Sequence, residues 1–134
     1  MELVACRIQR LIVDERNDRH IITLRPCDTE DDRRLMMIIG PFEAMAIDRA
    51  LRQEPFPRPL THDLLLSVLE ANYAELRAVE IRHSEDATYF AELVLTRADQ
   101  EERRIDCRPS DGLALWARLP ETLLLINSEL LEET

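Results

Sequence analysis

Lysine is absent from this sequence, glycine occurs twice, cysteine three times, and aromatic residues make up 4% of the chain. Two glycines, Gly40 and Gly112, cannot build the dinucleotide fingerprint or the phosphate-binding loop, each of which needs several glycines within a few positions. Cys6, Cys27 and Cys107 are widely spaced, with no C-x-x-C pair and no histidines at zinc-finger spacing, which argues against a structural zinc site. Cys6 and Cys107 lie among alternating apolar residues and read as small buried hydrophobes in a reducing compartment, a catalytic cysteine being the alternative. No apolar run approaches the ~20 residues needed to cross a bilayer, and Met1-Glu2-Leu3 lacks the basic and then apolar profile of a secretory signal. A soluble, cytoplasmic protein without a membrane partner is expected.

What the sequence has in excess is acid: 27 Asp and Glu against 17 basic residues, all of them arginine, for a formal net charge of −10. A field of that sign repels nucleic acid and disfavours a nonspecific coat protein. Any phosphate site must be local and built from arginine, helix ends or a metal. With 134 residues and 46% apolar composition there is material for one core, so a single domain spanning residues 1–134 is expected.

Apolar alternation marks strands at Leu3 to Val13, His20 to Arg25 and Leu35 to Ile39, with a slip near Gln9 and Arg10 that suggests a bulge. Gly40-Pro41 stops the third strand, and Phe42 to Glu54 reads as a helix broken by Pro55, Pro57 and Pro59, which hold the segment around Arg58 extended. Thr61 is expected to cap a second helix reaching about Ala74. Further strands are read at Val79 to His83, Tyr89 to Thr96 and Arg104 to Cys107, with a hairpin turn at Glu85-Asp86. A third helix runs from Pro109 to about Arg118, then a last strand from Leu123 to Ile126 and a loose tail from Ser128 to Thr134. Glu30-Asp31-Asp32-Arg33-Arg34 parallels Gln100-Glu101-Glu102-Arg103-Arg104, each followed by an apolar strand, a proline and a carboxylate that opens a helix. The expectation is an α+β fold with a mostly antiparallel or mixed sheet, about three helices packed on it, and an internal duplication of a strand-strand-strand-helix unit, with coincidence in a biased composition as the alternative.

Three helix entrances concentrate the chemistry. At ~100° per residue, Glu43 falls within the apolar arc of Ala46, Ile47, Ala50 and Leu51, and His62 aligns with Leu66, Leu69 and Tyr73, whereas Asp63 lies on the wet face. Glu43 is either a structural cap or a functional acid, and His62 either a packing residue or a general acid/base. Strand alternation places Asp106 and Arg108 on one face, Ser110 is a natural cap, and Asp111 shares a stripe with Arg118, whose bland reading is an ion pair. In the functional reading Glu43, His62 and Asp111 are catalytic and Arg58, Arg108 and Ser110 bind substrate phosphate. Glu43, Asp106 and Asp111 would then hold a divalent metal such as Mg²⁺.

The stretch Phe56-Pro57-Arg58-Pro59-Leu60-Thr61-His62-Asp63-Leu64-Leu65 resembles the bifunctional nuclease domain family. The likeness extends through Ile39-Gly40-Pro41-Phe42-Glu43-Ala44, through Tyr89-Phe90-Ala91, and through Ile105-Asp106-Cys107-Arg108-Pro109-Ser110-Asp111-Gly112. These blocks follow the family order over most of the chain. The family typically has alanine where Gly112 stands and a glycine-bearing first turn where this chain has Arg16-Asn17-Asp18. The resemblance implies an α+β fold, homo-oligomerisation as a dimer, and nuclease activity toward DNA and RNA. Glu43, Arg58, His62, Asp63, Asp106, Arg108 and Asp111 match its motif positions. The rival expectation is a noncatalytic homo-oligomeric module in which those residues cap helices and shape a pocket or dimer seam.

Overall fold

A computed structural model describes residues 1–133. β1 (Leu3–Asp14) pairs antiparallel with β2 (Arg19–Pro26), and β2 with β3 (Arg33–Ile39), as a meander. The β1–β2 register shifts between Ile8 and Arg10, so Gln9 is the extra residue of a bulge. Ile8 then pairs with Leu24 and Leu11 with Ile22, which keeps both on the core face although they are an odd three positions apart in sequence.

After α1 (Pro41–Arg52) and α2 (Thr61–Ala71), a second meander follows: β4 (Ala74–Glu85), β5 (Thr88–Arg97) and β6 (Glu102–Cys107), then α3 (Pro109–Trp116). The β4–β5 turn uses Asp86 and Ala87 at φ 51° and 64°, the left-handed pair that matches the twist of a tight hairpin. β7 (Leu123–Asn127) runs between the two meanders, parallel to β4 and antiparallel to β1, and joins them, with the short β8 (Glu132–Glu133) at one edge, into one eight-stranded sheet of order β6-β5-β4-β7-β1-β2-β3-β8. The fold is therefore α+β with a mixed sheet. The order strand-strand-strand-helix recurs on either side of α2, and the recurrence is one of element order.

The helices cover the face of the sheet that carries Ile22, Leu24, Val79, Ile81, Leu124 and Ile126, all almost fully buried. Each such side chain contributes about 1.5–3 kcal/mol relative to exposure. α1 buries Ala44, Ile47 and Ala50, and α3 buries Leu113, Ala114 and Leu115, but α2 has no fully buried residue and leaves Leu64, Leu65 and Val68 exposed. On the opposite face Glu80 is 4% exposed, ion-paired with Arg82 and with Arg104 at 2.9 Å, and the same arginines reach Glu92. No described helix is long and apolar enough to cross a membrane.

β4 begins at Ala74 rather than Val79, and α3 ends at Trp116, short of Arg118. Two further differences have identifiable causes. α2 ends at Ala71, because Tyr73 takes a left-handed backbone (φ 56°) that turns the chain into β4. The end of the chain, expected to be loose, is packed over its described part. Ser128–Leu130 form a 3₁₀ turn, Leu131 is buried in the core, and β8 (Glu132–Glu133) pairs with Arg33 and Arg34 of β3. Apolar burial of Leu131 outweighs the acidic, polar look of its neighbours; Thr134 lies outside the described residues.

Candidate functional site

The three helices begin alike. α1 starts Gly40 (N-cap), Pro41, Phe42, Glu43; α2 starts Leu60 (N-cap), Thr61, His62, Asp63; α3 starts Arg108 (N-cap), Pro109, Ser110, Asp111. Each third helical position is a carboxylate, where it meets the positive end of the helix dipole. Prolines at the first positions of α1 and α3 lose no intrahelical bond there. Thr61 and Ser110, expected as caps, are instead the first and second residues of their helices. No N-cap side chain makes a capping bond, and at α2 the Leu60 N–H donates to Asp63 Oδ2 at 3.0 Å.

Because α1 and α2 both pack against α3, these entrances face a common cleft of about 720 Å³ between the helices and β6. Arg108 holds its polar end together. Its Nε and Nη2 donate to Asp111 Oδ2 and Oδ1 at 2.9 and 3.0 Å, and its Nη1 donates to Glu43 Oε1 at 3.1 Å. His62 Nε2 stands 3.4 Å from Asp111 Oδ1, across from α3 on α2. Burial opposes ionisation of Asp111, but the hydrogen bonds and charge of Arg108, aided by His62, outweigh it and hold the carboxyl below its ordinary range. The same contacts push the Arg108 guanidinium up, so it stays charged. A guanidinium has five N–H donors; three are used here and two remain for an incoming anion.

Phe42, Met45, Leu65, Leu69 and Ile105 form the apolar part of the cleft, and Arg118 closes its floor. The bland sequence reading pairs Arg118 with Asp111. The Arg118 Nε instead donates to Asp63 Oδ1 at 2.8 Å, and its Nη1 to the carbonyls of Ala46 and Ala114 at 3.2 and 2.7 Å, so one side chain ties all three helices. Asp63, expected merely to face water, is held below the ordinary carboxylate range by that Arg118 bond, and Asp111 is left for Arg108 and His62. Cys107 also lines the cleft, with its thiol pushed up to about 11 by burial, and Cys6 is pushed up to about 12 for the same reason. Neither is a thiolate near neutral pH, so both fit the reading as small buried residues.

Glu43, His62, Arg108 and Asp111 thus meet, and three predicted site residues do not join them. Arg58 is exposed in the proline-rich loop and does not line the cleft. Ser110 is buried, 8% exposed, and does not line it either. Asp106 borders the cleft but pairs with Glu92, and its neighbour Cys107 faces Gly112 of α3, so alternation sends the Asp106 side chain to the other face of the sheet. The expected set Glu43, Asp106 and Asp111 does not fit a metal in this arrangement. Asp106 points away, Arg108 occupies oxygens of the other two, and no group of three or more His, Cys, Asp or Glu is placed to hold an ion among the described residues. The apolar wall was not assembled from the sequence, although Phe42 and Met45 stand at helical i, i+3 spacing and Leu65 and Leu69 at i, i+4.

The sequence profile of the bifunctional nuclease domain matches residues 22–134. Two uncharacterized proteins of Mycobacterium tuberculosis, from different strains, are each 34% identical to this chain over 116 residues. The aligned region covers 84% of this chain and 65% of each relative, so the chain spans just under two thirds of the curated proteins it matches.

Proposed function

Since the chain belongs to the bifunctional nuclease domain family, we propose that it hydrolyses phosphodiester bonds of DNA and RNA at the cleft held by Arg108. The observation that carries this reading is the constellation itself: a charged arginine with two unused donors beside a histidine–aspartate pair, all opening on one cavity. Arg108 takes the scissile phosphate and stabilises the charge that builds on its oxygens as water attacks. His62, oriented by Asp111 through Nε2, accepts the proton of that water as the new P–O bond forms. The bond to the leaving oxygen breaks, and the proton is passed to the alkoxide or to solvent. Glu43 keeps the Arg108 side chain extended toward the cleft. A cytoplasmic homodimer is part of the same proposal.

The test is cleavage of labelled single strands and duplexes by purified protein, with Mg²⁺ and with a chelator, comparing His62→Ala and Arg108→Ala after each is shown to fold. Turnover that follows the protein and falls about a hundredfold or more in either variant supports the assignment. Equal rates in wild type and both variants would point to a contaminating nuclease and remove it.

A second reading, a noncatalytic homo-oligomeric module, draws on Leu64 and Val68, 57% and 49% exposed and one turn apart on α2. Such a pair suits contact with a second copy. Under this reading His62→Ala changes no turnover, while Leu64→Glu dissociates the assembly in sedimentation.

A further inference from the structure

Resting on the nuclease reading, we propose that the cleft takes single-stranded nucleic acid in preference to an intact duplex, with one unstacked base lying on Phe42 and the adjoining phosphate meeting Arg108.

Charge excludes the usual source of affinity. Duplex binding rests on neutralising many phosphates with Lys and Arg, and this chain carries −10. Three cations line the cleft, Arg49, Arg108 and Arg118. Arg118 is committed to Asp63 and two carbonyls, Arg49 lies over the Phe56 ring at 4.6 Å, and Arg108 is the cation at the polar end with donors to spare. One or two such contacts position a phosphate but do not hold a polyanion, so the rest of the binding must come from uncharged surface.

That surface is present. Phe42 is 81% exposed, directly precedes the Glu43 that binds Arg108, and lines the cleft with the half-exposed Met45 and Ile105. A large aromatic ring left in water beside a cavity, next in sequence to the carboxylate that holds the phosphate anchor Arg108, matches a base-stacking platform; every base offers a π-face to it. In a duplex those faces are stacked on one another, whereas a single strand presents them freely. A cavity of about 720 Å³ suits a nucleotide-sized segment.

The experiment is fluorescence anisotropy with a phosphorothioate-linked DNA strand, which resists cleavage, against the same strand annealed to its complement. The expected result is roughly tenfold tighter binding of the single strand, about tenfold loss in Phe42→Ala, and recovery in Phe42→Trp. Arg108→Ala weakens both probes. Equal affinity for the duplex, or wild-type binding by Phe42→Ala, overturns the inference, as does a Phe42→Ala that changes only the oligomeric state in sedimentation. The two readings fail separately. Intact strand preference without cleavage of ordinary DNA or RNA removes the nuclease assignment alone; intact cleavage without the preference removes this inference alone. Absence of any nucleic-acid binding removes both.

Discussion

Arg108 grips Asp111 through two parallel hydrogen bonds, Nε to Oδ2 at 2.9 Å and Nη2 to Oδ1 at 3.0 Å, across the entrance of a single helix. The fork fixes the plane of the guanidinium, and the remaining nitrogen is thereby aimed at Glu43 of another helix. A residue at the N-cap of α3 thus sets the position of a carboxylate in the first turn of α1. The cleft between them inherits its geometry.

Replacing Arg108 with lysine keeps the charge and loses the fork. Cleavage efficiency should fall about tenfold or more, because a lysine ammonium cannot hold Asp111 and an anion in fixed directions together. Stability should change by about 1 kcal/mol or less, since the Arg108 side chain is 63% exposed and exposed pairs contribute little. Wild-type kcat/KM in Arg108→Lys would show that geometry at this position is irrelevant.

The depressed Asp111 carboxyl makes part of the stability pH-dependent. A carboxyl whose folded value lies below its unfolded value of about 3.9 stabilises the fold above that pH and loses the contribution as pH falls through the folded value. Asp111→Asn should melt lower than wild type from neutral pH down to about pH 4, by roughly 1 kcal/mol, and the gap should close below that. Thermal melts across pH 2 to 8, approximately, check it; a gap that widens on acidification contradicts the sign.

Arg118 is 10% exposed and is the shared partner of Asp63, Ala46 and Ala114. Arg118→Met strips a half-buried carboxylate and two carbonyls of their donor, at an expected cost of about 2–4 kcal/mol in urea unfolding. Asp63→Asn keeps the carbonyl contacts and should cost about 1 kcal/mol. Equal losses would show that the tie between the helices rests on the ion pair alone.

Gly112 bears on packing. A Cβ built there would stand 2.6 Å from Val79 Cγ1, in a part of the core where Val79 has no exposure. Gly112→Ala should therefore cost about 1–3 kcal/mol despite the better helix propensity of alanine. Combined with Val79→Ala, the double variant should be more stable than the sum of the two losses predicts, which a double-mutant cycle in denaturant reads directly.

Leu131 tests the packed end of the chain. Leu131→Ala should cost about 2–3 kcal/mol, as expected for a leucine that is 7% exposed. A cost near zero in the same denaturation would restore the expectation of a loose tail.

Much of the fold was legible before any coordinates. Alternation marked the strands from Leu3, His20, Leu35, Val79, Tyr89 and Leu123, the slip near Gln9 marked the bulge, and Gly40-Pro41 and Pro109 marked helix starts. These features are local: side-chain period, a missing N–H and a fixed φ act within a few residues. Cap assignments failed at Thr61 and Ser110, because carboxylates at the third helical position stand at the same entrances and at α2 take the N-cap's own N–H.

The amino-acid order by itself determined which residues could enter a site, namely an inward Glu43, an inward His62 and, each on its own, Arg108 and Asp111, and it set the −10 charge that leaves phosphate binding to local contacts. Tertiary structure alone decided their company. Of the two candidate arginines Arg58 stayed outside the cleft and Arg108 bridged two helices, while Arg118 went to Asp63 instead of Asp111. It also turned Asp106 to the far face and left Phe42 in water beside the polar cluster. The physical reason is that ion pairs and cavities depend on separations through space across α1, α2 and α3, and the sheet that fixes those separations joins strands far apart in the chain.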